Sequence, residues 1–280
     1  MAGVRLVTDS ASDLPQDVVD AHGIVIVPLN IRFGDEELVD REDISAAEFY
    51  ARMATFDGLP ETSAPSPGSF EEAFRKAAAD GADAVVCVTI SSDLSATMAS
   101  AQNAARALEG KLDVRVVDSK SITSGQGTLV TLAAEAAAGG AGADEVVALV
   151  ERTRPRTRVL GGLDTLENLK KGGRIGGAQA MLGTLLSIKP LIDISSGAVE
   201  EAGKVRTRKK QMLFIRDRLV EAGDVEQLVI CDGQAPDAEE FVDLIAEVAG
   251  RGNYTRSTIG PVIGTHGGPR MIGLTWLDPA

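Results

Sequence analysis

The stretch Ala84-Val85-Val86-Cys87-Val88-Thr89-Ile90-Ser91-Ser92-Asp93-Leu94-Ser95 sets the plan of the N-terminal half. Its first part is a continuous run of β-prone apolar residues without alternation, the pattern of a strand buried on both faces. The run stops at a cluster of hydroxyls. Residues 95–108 then take a helical pattern, with Ala96, Ala99 and Ala104 as a small face for close packing. The same phrase recurs on either side. Residues 4–8 form a strand ending at Asp9-Ser10, and Leu14-Pro15 opens a helix to about Ala21 with Asp13 as its cap. Residues 114–118 form another strand, which leads past Ser119 to an Ala-rich helix over 125–138. Strands alternating with helices pack as a parallel sheet covered on both faces. Ligands of such sheets sit outside the carboxyl ends of the strands, where these hydroxyl-bearing loops fall.

Between these units, residues 24–33 are strand-like, and Gly34-Asp35 turns them into a hairpin with 36–39. Ser45 and Glu48 make a capping box for a helix over 46–53. Pro65 and Pro67 force Ala64 and Ser66 into extended conformations, so 62–67 is not helix, and Ser69 starts one over 70–79. A helix over 144–152 follows the break at 139–143. The second half changes character. It reads as a strand over 159–162, a short helix over 163–169 and a helix over 179–186. A hairpin of 191–194 and 198–202 then folds around Ser195-Ser196-Gly197. A helix over 208–222, a strand over 227–231, a helix over 238–249 and strands over 257–263 and 271–277 complete it. The expectation is an α/β protein of two domains divided near Pro155. Residues 1–155 form an N-terminal domain with a parallel sheet and flanking helices, and 156–280 a C-terminal α/β domain with a mixed or antiparallel sheet.

Composition narrows the function. A chain of 280 residues is long for one core. It is 44% hydrophobic and 25% charged, as ordinary globular proteins are. Aromatics are only 4%, so an apolar pocket must be lined by aliphatic side chains. A net charge of −13 argues against nucleic acid as a partner, since phosphate contacts need clustered Lys and Arg. Cys87 and Cys231 each lie in or beside an apolar strand, which suits buried thiols in a reducing compartment, so a cytoplasmic location is expected. The N-terminus runs directly into a strand, without an apolar signal-peptide core. Several chemistries find no support. Gly125-Gln126-Gly127 starts like a dinucleotide loop, but Val130 takes the third glycine position. There is no GxxxxGK[ST] loop for ATP, no GxSxG nucleophile elbow and no metal-ligand spacing. Asp9, Asp13 and Asp118 read as caps and turn residues, so neither cofactor nor metal is expected.

What remains is a set of hydroxyls and several basic side chains. Taken singly, Ser91, Ser92 and Ser95 cap the next helix, and Thr62 and Ser63 are loop polar residues. Jointly, a helix start with spare hydroxyls beside a Pro-rigid hydroxyl loop makes a neutral, donor-rich anion site. His266 stands among Gly264, Gly267 and Gly268, which permit close backbone approach, whereas His22 before Gly23 is explained as a helix terminus. Arg174, in the glycine-rich phrase 172–177, is either an exposed turn cation or a group presented to a phosphate. Lys204, Arg206, Arg208, Lys209 and Lys210 form a basic run, a solvated face or a docking patch.

These phrases, in this order, resemble the DegV family, whose members act as the fatty-acid-binding subunit (FakB) of bacterial fatty acid kinase. The resemblance rests on Thr8-Asp9-Ser10 with Asp13-Leu14-Pro15, Thr62-Ser63 with Pro65-Ser66-Pro67, and Ile90-Ser91-Ser92 with Leu94-Ser95. It continues through Asp118-Ser119, residues 169–176, Ile188-Lys189-Pro190 and the run from Gly260 to His266. It implies a two-domain protein that grips one long-chain fatty acid between its domains. The carboxylate site would use Thr62, Ser95 and His266, with Ser63 and Ser92 as neighbours. It further implies a separate kinase subunit that supplies ATP and phosphorylates the acid to an acyl phosphate, with Arg174 near the partner or the new phosphate. The basic run would face the kinase or a membrane surface. Two residues depart from the family pattern: Ala96 replaces a Gly after Ser95, and Arg270 replaces a small residue after Gly268-Pro269. The competing readings are a serine hydrolase with Ser95 as nucleophile and His266 as base, and a carrier or sensor of another acidic metabolite.

Overall fold

The structure, a computed structural model, describes residues 3–182 and 188–280. The N-terminal half runs β1 (Gly3–Asp9), α1 (Gln16–His22), β2 (Val25–Val27), β3 (Asn30–Phe33), β4 (Glu36–Val39), α2 (Ala46–Met53) and β5 (Glu61–Ser63). It continues through α3 (Pro67–Ala79), β6 (Ala82–Thr89), α4 (Thr97–Ala107), β7 (Asp113–Asp118), α5 (Thr123–Ala138) and α6 (Ala143–Thr153). A single tight turn at Arg154–Arg156 leads to β8 (Thr157–Gly162), α7 (Glu167–Lys171), β9 (Lys189–Asp193) and β10 (Glu200–Val205). Then come α8 (Arg208–Ala222), β11 (Glu226–Asp232), α9 (Ala238–Ala249), β12 (Thr255–Thr258), α10 (Pro261–Gly267) and β13 (Ile272–Leu277).

The expected α/β class holds. One sheet, in the order β2-β1-β6-β7, is parallel throughout. Because it is covered on both faces, β6 is apolar at every position from Ala84 to Val88. Val85 and Cys87 pack on Phe70 and Phe74 of α3, and Val86 and Val88 on Leu129 and Val130 of α5. The other sheet, in the order β10-β9-β8-β13-β11-β12, is antiparallel except between β11 and β12. Its strands alternate. Leu160, Leu191, Ile230, Ile272 and Leu274 face α8 and α9, while Val159, Ile192, Ile194 and Cys231 face the other way. That second face joins Ile90 and Ile122 from the parallel half and Val262 and Met271 in one core between the sheets.

Several expectations need correction. Residues 24–33 are two strands in different sheets, because Pro28 has no N–H to continue a ladder. With β5, the β3–β4 hairpin makes a small third sheet in the order β4-β3-β5. Asp13 does not cap α1; it takes φ 50° after a tight turn, and Pro15 stands at the helix start. Helix α3 begins at Pro67, with Ser66 rather than Ser69 as its cap. The packed small face of α4 is Ala101 and Ala104, while Ala96 and Ala99 are exposed. Within 163–169 only the last residues belong to a helix, α7. The expected helix over 179–186 is a 3-10 turn at Gly176–Met181 where it is described, and residues 183–186 lie outside the described residues. The expected strand over 257–263 ends at Thr258, and Pro261 opens α10. No helix among the described residues is long and apolar enough to cross a membrane.

Candidate functional site

The core between the sheets is not filled. A cavity with about 880 Å³ of empty space, its mouth included, runs between the inner face of the mixed sheet, α10 and the start of α5. Its floor follows from strand register. Gly161, Gly273 and Cys231 lie side by side on β8, β13 and β11, so two adjacent positions carry no side chain and leave a trough. The next inward-facing row is Val159, Thr275 and Val229. A Cβ on Gly273 would stand 2.7 Å from the Leu160 carbonyl oxygen, so this trough admits no larger residue there without a backbone shift.

Polar groups gather where α10 ends. Thr62, Ser95, Arg174 and His266 all line the cavity in a mostly aliphatic wall. The Thr62 hydroxyl lies 2.8 Å from His266 Nε2. Strand β5 places Thr62 by pairing it with Ile31, and α10 carries His266 in its last turn. Gly172 packs against the ring, since a Cβ there would approach Nδ1 to 2.5 Å. Nδ1 is buried and has no hydrogen-bond partner among the described residues. Burial, reinforced by the Arg174 charge, pushes the imidazole pKa down to about 4, so the ring is neutral at physiological pH. Arg174 is anchored through Nε to the Leu94 carbonyl at 3.1 Å and through Nη1 to the Gly172 carbonyl at 2.7 Å. It thereby ties the loop that carries Ser95 to the turn that supports His266. The Ser95 hydroxyl lies 2.8 Å from that of Thr97, at the start of α4.

The other expected residues lie elsewhere. Ser63 is exposed, because its neighbour Thr62 faces the cavity and adjacent strand residues point to opposite faces. Ser92 donates its hydroxyl to Asp118, outside the cavity wall, and Asp118 also accepts from Lys120 N–H at 2.9 Å. Arg270 directs its charge to Asp164 and Asp237, at 3.7 and 3.5 Å, rather than to His266. The basic run is divided too, with Arg208 on Asp237 and Lys204 near Glu201. Asp9 serves as a cap, accepting from Ala11 and Ile90 N–H groups. No group of three or more His, Cys, Asp or Glu among the described residues could hold a metal. Both thiols are buried. The sequence reading missed Gly161, Gly273, Thr123 and Thr275 as cavity residues. Glycine inside a strand is a signal of close approach that could have pointed to the first two.

The family profile described as "Uncharacterised protein, DegV family" matches residues 3–278. The chain belongs to the DegV family. A DegV domain-containing protein of Halalkalibacterium halodurans is 33% identical over 280 residues, covering 99% of both chains. One from Streptomyces coelicolor is 35% identical over 275 residues, covering 97% of each. Among solved structures, a DegV family protein from Thermus thermophilus, described by its fatty acid binding, superposes with a TM-score of 0.90. It is 36% identical, over 99% of this DegV chain and 100% of its own. DegV of Bacillus subtilis, a fatty acid binding protein, gives 0.87 at 27% identity, with full coverage of both chains. A stearic acid-binding protein from Eubacterium ventriosum gives 0.87 at 28% identity, over 99% of this chain and 98% of its own.

Proposed function

We propose that this DegV protein binds a single long-chain fatty acid and presents its carboxylate to a separate ATP-dependent kinase subunit for conversion to an acyl phosphate. The observation that carries the reading is the aliphatic cavity with Thr62, Ser95, Arg174 and His266 at one end. Each buried CH₂ contributes about 0.8 kcal/mol, so the acyl chain supplies affinity and the headgroup needs only orientation. Neutral donors suit that task. A hydroxyl and an uncharged imidazole hold a carboxylate without engaging all its lone pairs, which leaves an oxygen nucleophilic. Arg174 stands near enough to offset charge as a phosphate forms. The acid would lie between the domains 1–155 and 156–280, needing no further cofactor, in a protein working in the cytoplasm. Contact of the basic run with the kinase or a membrane surface belongs to the same reading. The hydrolase alternative is disfavoured by geometry, since His266 Nε2 meets Thr62 and the Ser95 hydroxyl meets Thr97.

Native mass spectrometry of the purified protein, followed by organic extraction, tests the binding step. One fatty acid per chain is expected. A protein that is empty and takes up no added fatty acid removes the reading. Incubating the loaded protein with a fatty acid kinase subunit and ATP tests presentation, with hydroxylamine-trappable acyl phosphate as the expected product.

A further inference from the structure

The far part of the cavity is not uniformly apolar. In the row Val159, Thr275, Val229 the central residue is a threonine, although both neighbours show that valine fits the sheet at this level. Thr275 is 2% exposed, lines the cavity, and its hydroxyl has no hydrogen-bond partner among the described residues. The nearby Cys231 thiol is a poor partner, and it lies 3.5 Å from the Ser124 hydroxyl. At the start of α5, Thr123 adds a second threonine to the cavity wall. It is 4% exposed, and its hydroxyl interacts with the buried Asp13 carboxyl. Thr123 holds φ at 45°, a left-handed conformation that is costly for a β-branched residue and tends to persist where structure serves a site. Helix α10 packs its end on Met271, immediately before β13, so Gly273 lies nearer His266 and Thr275 about 7 Å further along the strand.

A buried, unpaired hydroxyl in the wall of an apolar cavity can both donate and accept. We propose that this region recognises an oxygen-bearing group, a hydroxyl, carried part-way along the acyl chain, with Thr275 as its hydrogen-bond partner. The inference rests on the fatty-acid reading and narrows it to a substrate class, the hydroxylated long-chain acids. A hydroxyl entering a wholly aliphatic wall would lose its hydration without compensation. Here one position along the chain is compensated.

The test is competitive displacement of a fluorescent fatty acid by octadecanoic acid and by isomers bearing one hydroxyl at successive mid-chain positions. One isomer is expected to bind within about threefold of the plain acid while the others fall behind by about tenfold or more. Thr275→Val should lose about tenfold for that isomer and hold or gain affinity for octadecanoic acid. Thr275→Ser, which keeps the hydroxyl, should keep the preference. Uniform exclusion of every isomer by the native protein overturns the inference, as does a Thr275→Val variant in which both ligands change alike. If Thr275→Val does not fold, the isomer scan of the native protein and of Thr275→Ser decides. A native protein that binds octadecanoic acid but no hydroxy acid refutes this inference alone. One that binds neither refutes the fatty-acid reading itself.

Discussion

At the level of single residues, the proposed function makes the Thr62–His266 contact the point that would orient the headgroup. Thr62→Val keeps shape and removes the hydroxyl 2.8 Å from Nε2, leaving the imidazole with no partner on either nitrogen. Losing a hydrogen bond of about 1–1.5 kcal/mol should weaken fatty-acid binding roughly tenfold while the melting temperature stays within a few degrees, by competition titration and calorimetry. Unchanged affinity would show that Thr62 does not orient the ligand. Gly172→Ala acts on the same ring from behind. Its Cβ would come 2.5 Å from Nδ1 and 3.0 Å from the Asn168 carbonyl, so the ring must move. Binding should fall at least as far as in Thr62→Val, and an unaltered titration would mean that the ring position does not matter. The grouping of Thr62, Ser95 and His266 was legible because each sits in a phrase of small and hydroxyl residues. Ser63 was misjudged although strand alternation was available to exclude it. Thr275 was invisible because one threonine in an apolar strand is ordinary β chemistry.

Among elements, α10 shows best where pattern reading fails and why. The apolar residues from Ile259 to Ile263 suit a strand, and only Pro261, pre-set for the first helical turn, redirects them. The helix spans the distance from Asp13, against the Gly260 N–H, to His266 at its other end. Burial lifts the Asp13 carboxyl to a pKa of about 7, with Asp40 adding repulsion and Arg41 opposing it, and burial holds Asp9 and Asp40 at about 6. These carboxyls stay protonated in the folded protein at pH values where the unfolded chain has released its protons. Stability therefore falls as pH rises from about 4 to about 7 and levels off above that. His266 works in the opposite sense, since a folded pKa near 4 makes stability rise between about 4 and 6.5. Three carboxyls outweigh one imidazole. The melting temperature should drop by several degrees between pH 5 and pH 7.5, and Asp13→Asn should flatten that slope. Calorimetry showing a slope unaltered in Asp13→Asn would remove Asp13 as its source.

For the molecule as a whole, the parallel sheet was legible because strands buried on both faces write continuous apolar runs. The mixed sheet could be read from its hairpin and its alternating strands. The small β4-β3-β5 sheet was not, since β5 is three residues long and polar, and only its partner β3 makes it a strand. Only the family resemblance pointed to a space between the two halves, because its shape depends on how two separately legible layers meet. Yet that space is where the most extensive core cluster lies, fed by residues from both layers. On the proposed function, a fatty acid lying there would complete the packing. Stripping it should lower the melting temperature, by about 4 kcal/mol of lost stabilisation for a ligand supplied at a thousand times its Kd. Identical calorimetric traces before and after stripping would show that the cavity wall holds itself up. The unfilled core has a further consequence. On the proposed function, a protein that has given up its ligand would be the softer form, opened more often and cut sooner by proteases. Its lifetime in a cell should then follow the supply of its own cargo, a form of stock control that needs no transcription factor.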